Sequence, residues 1–332
     1  MSTLLMTTIK DEGPFILEWV LYNRLIGFDR IVVYSNDCSD GSDTLLDVLA
    51  EEGWLTHHRS TPPPEATAQG AAAEAMFASE AYAGCTWFCW LDPDEYLNIH
   101  VGEGRVPDLI GAIGDALGMV LNWRLFGHSG VAAWADGLTI ETFCRCAGRG
   151  HAENSPTKSF FRRHPLITQL YQHRPFLDPA FEGSGERFIT CDGDPVPHDF
   201  LGAMRKTGNP LQTLPNRQRK FSLAQVNHYA VRSYDVFSLK RFRGQGAKPI
   251  GADEALRGRR YGEKFWVKRD RNEREDRSIL RHAPALREAM AGALAKPRIR
   301  AAHYACCAAM AARLAEMAAD GQPMTAAEAG LA

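Results

Sequence analysis

No uncharged apolar run in this chain approaches the ~20 residues needed to cross a bilayer, which argues against a membrane-spanning helix. The opening MSTLLMTTIKDEG has no basic residue before Lys10 and so lacks the cationic start of a secretory leader. Eight cysteines are present, but none forms a CxxC pair and no Cys/His set has zinc-finger spacing. Free thiols in a reducing compartment follow, so the expected location is cytoplasmic, with peripheral attachment at the inner membrane face left open. No internal repeat is present. An excess of one charge is missing too: 38 Lys and Arg stand against 40 Asp and Glu, with a pI of about 6.6. That balance points away from nucleic acid as a partner.

What is present is a chain of 332 residues, 45% hydrophobic, long enough for one large core with an extension. The expected division is an α/β domain over 1–250 and a mainly helical extension over 251–332. Residues 3–9 read as a buried strand. Gly13-Pro14 starts a helix that Gly27 ends. A second strand over 31–35 precedes a helix from Ser42 or Asp43 to Gly53. This βαβα order predicts a parallel sheet. An Ala-rich helix over about 66–82 leads to an aromatic strand, Thr86–Leu91. A helix over about 106–117 and a strand over about 119–125 follow. Residues 144–216 read as loops with short strands, 219–229 as a strand, and Ser233 to Arg243 as a capped helix. From about 276 to 318 the pattern is helical.

The strongest chemical signal is Asp92-Pro93-Asp94 at the end of the aromatic strand. Pro93 keeps Asp92 extended, and residues two apart in extended chain point the same way. Both carboxylates then face one spot beyond the strand's C-terminal end, where open α/β sheets bind ligands. Hard anionic oxygens suit Mg²⁺ or Mn²⁺, which can bridge a diphosphate. An acidic surface turn is the other reading of the same three residues. Lys10-Asp11-Glu12 follows the first strand and Asn36-Asp37 the second, where they can meet a nucleotide's ribose and base or simply be solvated turns. Lys240, Arg241 and Arg243 can neutralise a leaving diphosphate, or else complement a helix dipole. Phe126–Gly130 is placed on an acceptor side, with Gly127 allowing close approach, His128 beside it and Trp123 available to stack on a sugar.

Several segments in order carry a resemblance to a family. Lys10-Asp11-Glu12, Glu18-Trp19, Gly27-Phe28-Asp29 and Tyr34–Gly41 resemble the opening of glycosyltransferase family 2 and family 92-like proteins. So do Leu91–Tyr96, which has the form of a DxD motif with a trailing acid, and Trp123–Gly130. Asn227-His228-Tyr229, with Ser233, Phe237, Lys240 and Arg243-Gly244, is similar to these families' C-terminal block. The matches span 5–246, and 250–332 has no counterpart. The resemblance implies a GT-A-like nucleotide-sugar-binding fold: a mostly parallel sheet flanked by helices, here with a C-terminal helical extension. It implies a metal-dependent, inverting sugar transfer, of the kind used in polysaccharide biosynthesis, from a nucleotide-sugar (a UDP-sugar foremost) to a glycan or other hydroxyl acceptor. Carried over by position, Asp37 contacts the nucleoside, Asp92 lies near ribose and metal, Asp94 ligates the metal and His228 is a further metal or diphosphate ligand. The donor set is then Lys10, Glu12, Asn36, Asp37, Asp92, Lys240 and Arg243. The metal set is Asp92, Asp94 and His228.

One departure is plain. Family 2 enzymes often carry the acceptor-deprotonating carboxylate in a Glu-Asp pair after the DxD strand, and no matching pair occurs in the corresponding stretch of this chain. Glu153, Asp192 and Asp194 are the weak candidates for that base. Haloacid-dehalogenase-like phosphatases also end a strand with DxD, but theirs lies near the N-terminus and continues with Thr or Val. Nucleotidyltransferases need a Gly-rich basic loop after the first strand, which Lys10–Gly13 does not supply. A binding protein with a decayed active site is the non-enzyme alternative. Oligomeric state is not legible.

Overall fold

The computed structural model describes residues 1–63, 65–196, 200–201, 213–214, 219–243 and 262–331, with 241–243 as backbone only. The N-terminal half follows the expected alternation with one strand added, β3: β1 (Thr3–Ile9), α1 (Gly13–Ile26), β2 (Arg30–Ser35), α2 (Ser42–Glu51), β3 (Thr56–Arg59), α3 (Ala68–Phe77), α4 (Glu80–Ala83) and β4 (Trp87–Trp90). Then come β5 (Glu95–Ile99), α5 (Val106–Ile113), β6 (Gly118–Leu125), α6 (Thr139–Thr142), β7 (Arg145–Cys146), β8 (Thr157–Arg162), β9 (Ile167–Leu170), β10 (Pro175–Leu177) and β11 (Phe188–Thr190). The remainder comprises β12 (Ala224–His228), α7 (Tyr234–Arg243), α8 (Glu263–Arg269), β13 (Arg274–Glu275), α9 (Ala283–Leu294) and α10 (Pro297–Ala319).

Among the described residues one sheet runs β3-β2-β1-β4-β8-β6-β12-β5, with β11 beside the start of β6. The pairs β2–β3, β1–β2, β1–β4, β6–β12 and β6–β11 are parallel. β8 enters antiparallel between β4 and β6, and β5 closes the far side antiparallel to β12. The fold is therefore the expected α/β class, a mostly parallel sheet flanked by helices with a helical C-terminus. The C-terminal ends of β1, β2, β4, β6 and β12 share one edge of this sheet, and that edge carries the candidate site.

α1 is held at both ends by backbone chemistry. Pro14 sits in its first turn, and Gly27 at φ +105° receives the chain as it leaves, its N–H bonding Arg24 O at 3.1 Å. Gly13 has a second duty, because a Cβ there would lie 2.5 Å from the Cys306 Cβ on α10. The C-terminal helices pack into the core of the N-terminal half: Ile279, Leu286, Ala293, Ile299 and Cys306 share one buried cluster with Ile16, Trp19 and Leu45. Among the described residues no helix is long and apolar enough to cross a membrane.

Three further elements differ from the sequence expectation. The helix expected over 66–82 breaks at Ser79, whose hydroxyl accepts from the Tyr82 N–H and starts a separate short helix. β5 begins at Glu95, immediately after the acidic motif, and its inward Glu95 and Asn98 hide a fully buried strand. β8, placed among loops, is a central strand with Lys158 buried within it.

Candidate active site

Asp92 and Asp94 leave β4 in a tight turn, closed by the Glu95 N–H on Asp92 O at 2.9 Å, rather than in the extended chain expected from Pro93, and their environments diverge. Asp92 Oδ2 accepts from Gln172 Nε2 at 2.6 Å and from Lys158 Nζ at 3.2 Å. Asp94 Oδ2 accepts from Lys240 Nζ at 2.8 Å, while its Oδ1 lies 3.6 Å from His228 Nε2. Burial opposes a charge on Asp94, but Lys240 and then His228 outweigh it and hold the carboxyl well below the usual carboxylate range. Burial lowers the His228 pKa, against the pull of Asp94, and so favours the neutral imidazole. The trailing acid is structural. Glu95 is fully buried, pairs with Lys158 at 3.0 Å and accepts the Asp92 N–H at 2.8 Å. Its burial pushes it up to about 8, with Lys158 pulling the other way.

A second cation ties this turn to the first strand. Arg232, almost wholly buried, donates to Glu12 Oε2 at 2.8 Å and to Pro93 O at 3.2 Å, and stacks 3.5 Å from the Phe15 ring centroid. Next to it, Glu12, Lys240, Arg232, Asp11 and Arg313 border a small cavity of about 40 Å³. Asp11, Leu239 and Arg313 also line a wider cleft of about 520 Å³, together with Lys10, Asp37 and Ser39. The opposite wall of that cleft is α10, through Arg313, Glu316 and Met317. Arg313 Nη2 bonds Ser39 Oγ at 2.7 Å, and Asp11 Oδ1 accepts the Ser39 N–H at 2.7 Å. Asn36 Nδ2 donates to Asp37 Oδ2 at 3.2 Å. Among the described residues four non-glycines have positive φ; two of them, Asp11 and Asp37, line this cleft and a third, Arg232, borders the small cavity. Such backbone strain gathers where a binding site over-determines the chain.

The structure thus brings Lys10, Glu12, Asn36, Asp37, Asp92, Asp94, His228 and Lys240 to one edge. The Arg243 side chain lies outside the described residues. Trp123 is near but buried, 4.1 Å from the His228 ring centroid and under the Arg269 guanidinium at 5.4 Å, so it backs the histidine rather than offering an open stacking face. Gly127 and His128 are taken up by the 270–272 loop. A Cβ on Gly127 would meet Arg271 O at 2.6 Å, and His128 Nδ1 lies 2.9 Å from Asp270 Oδ1. Glu153 reaches the site's flank through Arg269, at 3.3 Å. Asp192 and Asp194 do not: they face Lys220, and Asp192 Oδ1 accepts the Ser222 N–H. Ser222 is six residues before His228, roughly 20 Å along an extended chain.

Sequence reasoning missed Lys158, Gln172, Arg232 and Arg313. Lys158 had only a faint signal, a cation just ahead of the Phe160-Phe161 pair in a segment read as loops; the others come from segments that only the fold brings near. As for a divalent ion, Asp94 Oδ1 and His228 Nε2 fit as two ligands, while one oxygen of each aspartate is already engaged by a lysine. Among the described residues, the trio whose ligand atoms all fall within 4.8 Å is a different one, Asp136, His303 and Cys307.

No family model matches the chain. Among curated proteins it is similar to a glycosyltransferase family 92 protein of Ricinus communis, 25% identical over 238 residues, covering 71% of this chain and 36% of that protein. A glycosyltransferase family 92 protein of Arabidopsis thaliana is likewise 25% identical over 250 residues, again 71% and 36%. The chain therefore spans about a third of the length of these relatives. Among solved structures it is similar to S. aureus TarS 1–349, 12% identical, covering 97% of this chain and 92% of that one at a TM-score of 0.34. A likeness that slight carries no argument.

Proposed function

We propose that this protein is a glycosyltransferase that moves a sugar from a nucleoside-diphosphate donor to a hydroxyl of a glycan or similar acceptor. The observation that carries the reading is Asp94. Its carboxylate is kept ionised beside His228 and Lys240, on the strand edge where the 520 Å³ cleft opens. The similarity to family 92 glycosyltransferases over 71% of the chain supports the same chemistry.

The division of labour follows from position. Asp37, Asn36 and Lys10 hold the nucleoside in the wider cleft. Lys240 and Arg232, set next to Asp94 and Pro93, face the diphosphate, where fixed cations stabilise charge developing on the leaving oxygen. A bound Mn²⁺ or Mg²⁺ on Asp94 and His228, with Asp92 beside it, would supply Lewis-acid neutralisation of that charge. Glu153, anchored by Arg269 on the flank of Trp123, is the remaining candidate for taking the acceptor proton in an inverting transfer.

The test is hydrolysis and transfer across a panel of nucleotide-sugars, with Mn²⁺ and with chelator. The reading expects Mn²⁺-dependent release of nucleoside diphosphate from one donor class, abolished by Asp94→Ala in a folded variant. Donor binding without turnover across the whole panel would favour a binding protein with a decayed site. No nucleotide binding at all would end the proposal.

A further inference from the structure

The opposite face of β6 and β12 carries a polar stripe that the donor site does not use. His228 and Trp123 point to one face; Arg124, paired with Asn227, belongs to the other, together with Gln225 and, across β5, Asn98. Gln225 Nε2 bridges Asn227 Oδ1 at 2.7 Å and Asp276 Oδ2 at 3.0 Å, and Asn98 Nδ2 donates to Ser278 Oγ at 2.8 Å. Above them opens a cleft of about 880 Å³, within the roughly 300–1,000 Å³ typical of small-molecule sites.

Its lining is strongly cationic. Arg124, Arg149, Arg274, Arg277 and Arg281 face it with His100, against two carboxylates, Glu275 and Asp276. Both acids are already engaged: Glu275 accepts from Arg277 Nε at 2.7 Å, and Asp276 from the Ser278 hydroxyl at 2.6 Å and from Gln225. Arg149 and Arg274 are exposed and make no ion pair among the described residues. At the floor Arg124 is 5% exposed; its Nη2 donates to Cys146 Sγ at 3.4 Å, while its Nε and Nη1, like the buried His100 Nε2, have no partner among the described residues. Buried donors are nearly always satisfied, so unpaired guanidinium nitrogens at the base of an arginine-walled cleft call for an anionic oxygen.

We propose that this cleft is a second binding site, for a small molecule bearing phosphate or carboxylate groups, held on Arg124 and closed over by the arginines of 274–281. It is separate from the donor edge. His100, at the far end of β5, lies five residues from Glu95, roughly 17 Å along the strand. The inference stands apart from the glycosyltransferase reading and needs no metal.

The experiment is isothermal titration of chelator-treated protein with inorganic pyrophosphate and, separately, with glucuronate. Lys240→Gln serves as the reference background, so that the diphosphate edge contributes little. The expected result is saturable binding of at least one probe in Lys240→Gln, weakened at least tenfold when Arg124→Gln is added. Pyrophosphate alone assigns a phosphate ligand, and glucuronate alone a carboxylate. Should Arg124→Gln fail to fold by circular dichroism, the exposed pair Arg149→Gln and Arg274→Gln replaces it, with at least a threefold loss expected. Absence of saturable binding by both probes, or affinity unchanged by these substitutions, overturns the proposal. No nucleotide binding by the wild-type protein, with probe binding intact, would sink the donor reading alone.

Discussion

At the scale of single residues, the site is governed by which cation each acid meets. Asp94 and Asp92 differ by two positions, yet Lys240 holds one and Lys158 the other. Lys158→Met should therefore act on stability, since it strands the fully buried Glu95; breaking a buried pair costs about 3–5 kcal/mol. A urea midpoint unchanged from wild type would contradict that role. Lys240→Gln should weaken diphosphate binding about tenfold while nucleoside binding changes little, readable by titration of UDP against uridine; equal losses for both would make Lys240 structural. The position of Asp92 and Asp94 at the end of an aromatic strand was legible in the sequence, but the turn that gives them different partners was not, because the extended chain expected from Pro93 is closed by the Glu95 N–H on Asp92 O. Arg232 was not, because its partners Glu12 and Pro93 are 220 and 139 residues away.

Elements set the limits of that local reading. β1, α1, β2 and α2 were legible because apolar spacing and the Gly and Pro stops agree with their burial. β5 and β8 were not, because inward Glu95, Asn98 and Lys158 break the apolar alternation that announces a strand. The His128 turn has a measurable pH signature. Burial alone would raise the Asp270 pKa, but hydrogen bonds from the His128 ring and N–H lower it below the unfolded value. A lowered carboxylate stabilises the fold above its unfolded pKa and loses that contribution as pH falls through the native one. Asp270→Asn should thus destabilise by about 1.5–3 kcal/mol at pH 7, with the gap to wild type narrowing below about pH 4. A gap independent of pH in urea titrations would rule out the ionised carboxylate as its source.

For the molecule as a whole, the C-terminal helices are part of the core of the N-terminal α/β body and of its 520 Å³ cleft. The extension expected over 251–332 had no legible role, because Ala-rich helices pack through small side chains that leave little pattern. In the fold, α10 meets α1 at Gly13 and walls the 520 Å³ cleft, the proposed nucleoside site, with Arg313. Gly13→Val should force these helices apart at a cost of about 1–3 kcal/mol, measured by chemical denaturation. Arg313→Ala, at a site that is partly exposed, should leave stability nearly unchanged yet weaken UDP binding several-fold; unchanged affinity would remove α10 from the donor site.

The central claim is that a divalent ion on Asp94 and His228 holds the donor's diphosphate. Crystals soaked with UDP and Mn²⁺ test it most directly through anomalous scattering. The account predicts a manganese peak in contact with both Asp94 Oδ1 and His228 Nε2, with the diphosphate reaching it from the cleft under α10. Manganese bound only elsewhere, with UDP seated in the cleft and Lys240 alone on Asp94, would contradict it.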